Sequence, residues 1–403
     1  MQKDNQKPSF EFMALMAALM SIVALSIDTL LPAIPNIGET INSFDPTENQ
    51  KLITMIFLGL GVGQLFFGPL SDSYGRKPVV YMGMGVFGIA SMICLWAPNL
   101  EWMIVGRILQ GVGLSVARSI AISIIRDTYS GDLMARVMSF VTAFFILVPV
   151  VAPSLGKIIL DVSNWQAIFY VQLFCTLAVG IWFWKRQPET LRPDYKIPFS
   201  SRVFVDGLKE FMRHKETVAF TMASGFITGA FLVYLSASQH IFEDLYGLKD
   251  SFPYIFAGLS ISIGLSTFSN GTLVLRYGMW KLSYMALLAF CAVAIVFVVL
   301  YWQTGNPSVI VLITFLSLQF FCLGFMWGNF RSIAMQPIGH IAGIGAAING
   351  FISTVISIPI ATFIGSYVED EVLPLFIGLA VCGLISVFIF WTVRRPKGMV
   401  TAK

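Results

Sequence analysis

Charged side chains are scarce in this sequence, so the few that interrupt its long apolar runs carry most of the chemistry. Asp28 lies within the first run, Phe12 to Pro32, and reads as the one carboxylate deep inside any run. Arg107, Gln110, Leu114 and Arg118 fall at i, i+3, i+7 and i+11 of a later run, on one face of a helix. The two guanidinium groups are then about 16 Å apart along the axis, at 1.5 Å per residue. A carboxylate poised between desolvation and a neighbouring arginine can exchange a proton for another solute. Arginine does not usefully lose its proton, so Arg107 is read as tuning Asp28 or as holding an anionic or carbonyl group. Its depth is similar to that of Asp28, and the two are expected to approach each other across a polar cavity. Other readings stay open: Asp28 as a structural cap, Arg107 as a tie between helices, Arg118 as a side chain that snorkels to the interface. Two buried arginines against one aspartate would make the cavity net positive, which favours neutral, zwitterionic or anionic cargo.

The elements that must position these groups follow from composition. Of 403 residues, 56% are apolar and 12% charged, whereas a water-soluble domain is nearer 25% charged. Lipid is therefore the main solvent, and about 20 apolar residues cross it as a helix. Runs occur at about Phe12 to Pro32, Leu52 to Leu70, Pro78 to Trp96, Trp102 to Ile125, Val137 to Leu160 and Trp165 to Trp184. After a charged stretch come Thr217 to Gln239, Pro253 to Leu275, Lys281 to Trp302, Ser308 to Phe330, Ile341 to Ile364 and Leu373 to Val393. This predicts an all-α integral membrane protein: a six-helix bundle over 1–186, a cytoplasmic linker over 187–216 and a second six-helix bundle over 217–403. Basic residues set the orientation. Lys3, Lys7, Arg76, Lys77, Arg126, Arg136, Arg276, Lys281, Arg394, Arg395, Lys397, Lys403 and the linker share one side, so both termini are expected in the cytoplasm. The first run continues past Asp28 without a small-residue cleavage pattern, and is read as a span rather than a signal peptide. The five cysteines form no CxxC pair, the dispersed basic residues are no nucleic-acid patch, and no P-loop, metal cluster or catalytic triad is legible. Neither an enzyme nor a cofactor is expected.

The halves repeat. Gly68-Pro-Leu-Ser-Asp-Ser-Tyr-Gly75 and Gly271-Thr-Leu-Val-Leu-Arg-Tyr-Gly278 share G-x-L-x-x-x-Y-G, and Arg118-Ser-Ile-Ala121 matches Arg331-Ser-Ile-Ala334, with Gly111 on Gly324 at the same offset. Parallel halves around a midplane site define one transporter architecture.

Gly68-x-Leu70-x-Asp72-x-x-Gly75-Arg76-Lys77 resembles the loop signature of the major facilitator superfamily, and Arg107-x-x-Gln110-Gly111-x-Gly113 its fourth-span motif. Pro149-x-x-x-Pro153-x-x-Gly156 resembles the fifth-span motif of its antiporters, and Ser26-Ile-Asp28-x-x-Leu31-Pro32-Ala-Ile-Pro35 the first-span motif of its twelve-span drug/proton antiporters. Arg126-Asp127 followed by Ala135-Arg136-Val-Met-Ser139 is similar to the bicyclomycin/chloramphenicol-resistance (Bcr/CflA) branch. Ser73, Lys157 and Gln166 depart from the commoner family residues. The resemblance implies two pseudo-symmetric six-helix bundles (the major facilitator fold) in a bacterial-type inner membrane. It also implies a charged latch at Asp72, Arg76, Lys77, Arg126, Asp127 and Arg136 that holds the halves together in one state. Gly68 and Gly75 are expected to allow close packing and a tight turn, and Pro149, Pro153 and Gly156 to form a stiff element limiting leak. Tyr234, Ser238, Gln239, Gln319, Trp327, Asn329 and Asn349 are candidates to line the cavity, although each is equally a helix-packing polar residue.

The expectation is a proton-driven exporter of drug-like or metabolite-like small molecules, powered by the proton gradient, with a monomer sufficient. An uptake symporter or uniporter is the rival on the same fold, and a non-transporting membrane sensor or enzyme the rival of another class.

Overall fold

Proline and polar caps set where the long helices stop. In a computed structural model, which describes residues 8–129, 131–196 and 200–393, α1 spans Phe10–Asp28 and begins where Ser9 Oγ accepts from the Phe12 N–H at 3.1 Å. Pro32 has no N–H to donate to the Asp28 carbonyl, so the helix ends there. The first span continues through a 3₁₀ turn, Leu31–Ala33, into α2, Ile34–Thr40. Next come α3 Pro46–Asn49, α4 Lys51–Tyr74, α5 Arg76–Leu95, α6 Leu100–Thr128, α7 Gly131–Val162 and α8 Trp165–Arg186. Asn99 and Asn164 cap α6 and α8 by accepting from Trp102 N and Ala167 N, each at 3.1 Å. After α9, Ser201–Arg213, come α10 Lys215–Gln239, α11 Phe252–Tyr277, α12 Met279–Tyr301, α13 Val309–Met335, α14 Ala342–Gly365 and α15 Leu373–Thr392.

Twelve helical segments among the described residues are long and apolar enough to cross a membrane, one for each apolar run. Most are longer than the runs suggested, the second, Pro46–Tyr74, among them. The first covers Phe10–Thr40, and the seventh covers Lys215–Leu245 because α10 passes into a π-helical turn, His240–Leu245. The stretch expected as a plain polar linker contains α9. Lys3, Lys7, Arg394, Arg395, Lys397 and Lys403, which entered the orientation reading, lie outside the described residues.

The chain divides into two units, one of 1–45 and 55–203, the other of 46–54 and 204–403. In the first, α5 packs along α6 and α1 along α7; in the second, α10 packs along α14, α11 along α13 and α12 along α15. The sequence repeat has a structural counterpart. Gly75 and Gly278 both have positive φ, 114° and 76°, at the turns that start α5 and α12. A side chain on Gly111 would strike the α4 backbone at Ile56 and Leu60, and one on Gly324 would strike Ser266 and the Ile263 carbonyl of α11.

Candidate functional site

The end of α1 is where the first unit concentrates its buried polar groups. A helix C-terminus leaves carbonyls without intrahelical donors, and here the Leu30 N–H bonds to the Ile27 carbonyl rather than to Ser26. The Ser26 carbonyl is taken up from two other spans. Arg107 Nη1 of α6 donates to it at 3.3 Å and Gln172 Nε2 of α8 at 3.5 Å. The same Arg107 nitrogen donates to Gln110 Oε1 at 2.8 Å, Gln110 Nε2 donates to Ser91 Oγ of α5 at 2.8 Å, and Gln172 Nε2 also donates to Thr29 Oγ1 at 2.9 Å. A guanidinium at this end also complements the negative pole of the α1 dipole.

Asp28 closes the helix beside this network and is 5% exposed. Among the described residues its carboxyl makes no ion pair and no hydrogen bond. The expected approach of Arg107 therefore reaches the α1 backbone two residues away and not the carboxyl. A small apolar pocket between α1, α5, α6 and α8, lined by Leu19, Ile22, Val80, Met84, Phe87 and Thr176 among others, offers a charged solute no partner.

Gly156 of α7 faces this same break. A side chain there would collide with the Thr29 carbonyl oxygen and Pro32, so α7, with Pro149 and Pro153 inside it, is seated against the bend in the first span. Arg118 corrects an expectation. It is exposed rather than buried and lies over the Phe145 ring, 5.5 Å from its centroid. The first unit thus buries one arginine of the pair, and the argument for a net positive cavity loses half its charge.

The second unit contributes a carboxylate that the sequence reading missed. Glu243 is 9% exposed in the π-helical turn and accepts from Gln239 Nε2 at 3.0 Å. Asp28 is therefore not the sole buried acid in a span; ending span seven at Gln239 hid the second. Several expected cavity residues instead tie helices together. Asn349 Nδ2 donates to Thr221 Oγ1 at 2.6 Å, Asn329 and Asn270 exchange amide bonds at 2.8 and 3.2 Å, and Gln319 Nε2 donates to the Phe290 carbonyl at 3.1 Å. Ser238 bonds back to the Leu235 carbonyl at 2.9 Å. Tyr234 and Trp327 belong to an aromatic cluster, Tyr234 4.7 Å from Phe320 and Trp327 4.9 Å from Phe231 between ring centroids.

At the linker end of the first unit three of the residues expected in a latch, Asp72, Arg76 and Asp127, meet within that unit. Arg76 Nε donates to Asp127 Oδ2 at 2.9 Å, and its Nη1 donates to Ser71 Oγ at 2.8 Å and to Asp72 Oδ1. Lys77 Nζ donates to the Trp184 carbonyl at 2.9 Å. Arg126 and Arg136 are exposed, and among the described residues no ion pair joins them to this cluster. A side chain on Gly68 would meet nothing within 4 Å among the described residues, so the expected close packing is absent there; Gly75 supplies the expected turn. Sequence reasoning missed the centre of the cluster. Glu189, just beyond α8, accepts from the backbone N–H groups of Arg76 at 3.0 Å and of Lys77, Thr190 and Leu191 at 2.9 Å each. Partial burial pushes its carboxyl up, but the four backbone donors outweigh this and hold it below the usual glutamate range. The signal was present in Pro188-Glu189-Thr190, where an acid follows a helix-ending proline.

The family model of the Major Facilitator Superfamily matches residues 16–363. The bicyclomycin resistance protein homolog of Haemophilus influenzae is 26% identical over 409 residues, with 98% of this chain and 99% of the relative covered. The multidrug resistance protein MdtL of Klebsiella pneumoniae is 24% identical over 397 residues, with 94% and 95% covered. A D-xylose–proton symporter of known structure superposes with a TM-score of 0.74 at 14% identity, covering 95% of this chain and 98% of that one; the likeness shows the fold alone.

Proposed function

The chain belongs to the major facilitator superfamily and is a multi-pass membrane transporter, and from that premise we propose that it exports drug-like or metabolite-like small molecules in exchange for protons. The observation that carries this reading is Asp28, a nearly buried acid at the carbonyl end of a broken helix, without an ion-pair partner among the described residues. Negative charge is disfavoured at that end of a helix and costs several kcal/mol within a membrane. A proton that binds Asp28 removes the charge, and its release restores it. The two forms then differ in how well they tolerate closure around the site, and that differential is what couples a proton to a change of state. Arg107 keeps the α1 end fixed in both forms through Ser26 and Gln110.

The proton gradient is the energy source, both termini lie in the cytoplasm, and a single chain suffices. The names of the bicyclomycin-resistance and multidrug-resistance relatives support export of toxic compounds. The fold shared with a sugar symporter keeps proton-driven uptake as the second reading.

The test is accumulation of a panel of antibiotics and fluorescent dyes in cells expressing the protein, with and without an uncoupler. Export by the wild type should collapse with the uncoupler, and Asp28→Asn should abolish uphill export while leaving the protein in the membrane. Undiminished uphill export by Asp28→Asn removes Asp28 from the mechanism; greater accumulation in energised expressing cells establishes uptake instead.

A further inference from the structure

The helix between the two sets of spans has a surface that neither the fold nor the transport reading uses. At 100° per residue, Phe204, Val205, Leu208, Phe211 and Met212 occupy one side of α9, and Arg202, Asp206, Lys209, Glu210 and Arg213 the other. The apolar side is itself divided. Phe211 is fully buried, and Gly207 lies against the Ile344 side chain, so one edge is packed on the protein. Val205, Leu208 and Met212, 50%, 46% and 57% exposed, form the other edge at i, i+3 and i+7.

The charges are arranged around that open edge. On the helical wheel Lys209, Arg202 and Arg213 come next to the exposed stripe, and Asp206 and Glu210 are turned beyond them. Glu210 is engaged within the protein. It accepts from Arg213 at 3.1 Å and contacts His214 at 3.2 Å and His340 at 3.5 Å. A single residue, His214, separates α9 from α10, whose span begins at Lys215. The open edge is therefore held at the depth where a span leaves the hydrocarbon.

We propose that α9 is an interfacial helix that binds anionic phospholipid headgroups in the leaflet on the linker side. Leu208, Val205 and Met212 enter the acyl boundary, and the basic border reaches the phosphates by extending its stems along it. The order apolar, basic, acidic around the helix is the order of a leaflet edge: hydrocarbon, phosphate, water. Each basic side chain near an anionic surface favours contact roughly fivefold, so three together favour it on the order of a hundredfold, less the share already taken by Glu210.

The experiment uses the full-length protein in nanodiscs of phosphatidylcholine alone or with about one quarter phosphatidylglycerol, with hydrogen exchange followed across 201–213. Exchange there should be at least fivefold slower in the phosphatidylglycerol discs. The combined variant Arg202→Gln, Lys209→Gln, Arg213→Gln should erase the difference between the disc types, and Lys209→Arg should keep it. Unaltered exchange across 215–239 shows that the variants are folded. Equal exchange in the two discs overturns the proposal, as does slowing that survives the combined variant. So does slowing reproduced in phosphatidylcholine discs by soluble glycerol phosphate, which would mark a free-anion site rather than a lipid contact.

Discussion

Replacing Glu189 with alanine leaves the first turn of α5 without the acceptor for its Arg76 and Lys77 N–H groups. Loss of a side-chain cap costs about 0.5–2 kcal/mol, and loss of a carboxylate from a helix N-terminus about 0.3–1 kcal/mol at an exposed site. Glu189 is exposed, so water partly replaces it and screening trims the charge contribution. The sum is about 1–2 kcal/mol, a factor of about 5–30 in local opening. Hydrogen exchange in detergent at pH 7 should show that acceleration at Arg76 and Lys77 and little change in the middle of α5. The sign of the pH dependence is fixed by the depressed acidity of Glu189 in the fold. Its stabilisation is complete above the ordinary glutamate range and is lost as pH falls through the folded-state value. The difference between wild type and variant should hold from pH 8 to 6 and shrink toward pH 4. Acceleration below about twofold at those two amides, or equal acceleration along the whole of α5, would refute the capping role.

Three further substitutions test the packing of the first unit. Gly156→Val places a side chain against the Thr29 carbonyl, which is backbone and cannot yield, so it should cost about 1–3 kcal/mol in thermal unfolding in detergent. Gly68→Ala, with open space around it, should change stability by less than about 1 kcal/mol. Arg107→Lys keeps the charge but cannot hold the Ser26 carbonyl and Gln110 with one planar group. A loss of about 1.5–3 kcal/mol is expected in the same melt, and unchanged melting would mean that the guanidinium geometry is dispensable.

The spans were legible because lipid demands the same thing of every crossing helix, an unbroken run of apolar residues, and twelve such runs are present. The charge cluster within the first unit was legible because Asp72, Arg76 and Asp127 are charges that only a partner makes tolerable beside a membrane. What the sequence concealed was the direction of single hydrogen bonds. Arg107 and Asp28 have opposite charge and similar depth, yet the guanidinium turns to the Ser26 carbonyl, freed where the Leu30 N–H bonds to Ile27, which no spacing rule reveals. Asn329 and Asn349 are polar in apolar helices whether they face a cavity or each other's neighbours, and only the positions of Asn270 and Thr221 decide. Glu243 and α9 were hidden by two different choices of window. An apolar window that ends span seven at Gln239 leaves the acid outside, and one that reads 187–216 as polar averages away the period of Val205, Leu208 and Met212.

The two bent spans also bear on why the proposed proton exchange is placed at Asp28 rather than Glu243. Both first spans of the repeat depart from α-helical geometry beyond their middle, but in chemically different ways. In span one Pro32 withdraws a donor, the helix stops, and Arg107 and Gln172 turn to the freed backbone. The carboxyl at that end is left with no side chain engaged to it among the described residues. In span seven no proline intervenes, so the chain stays hydrogen-bonded through a wider π turn, and the acid it carries is engaged by Gln239. A proton gained by Glu243 would weaken the bond it accepts from Gln239, whereas Asp28 has none to weaken among the described residues. On the proposed mechanism the proton is therefore assigned to Asp28, in the span that Pro32 interrupts.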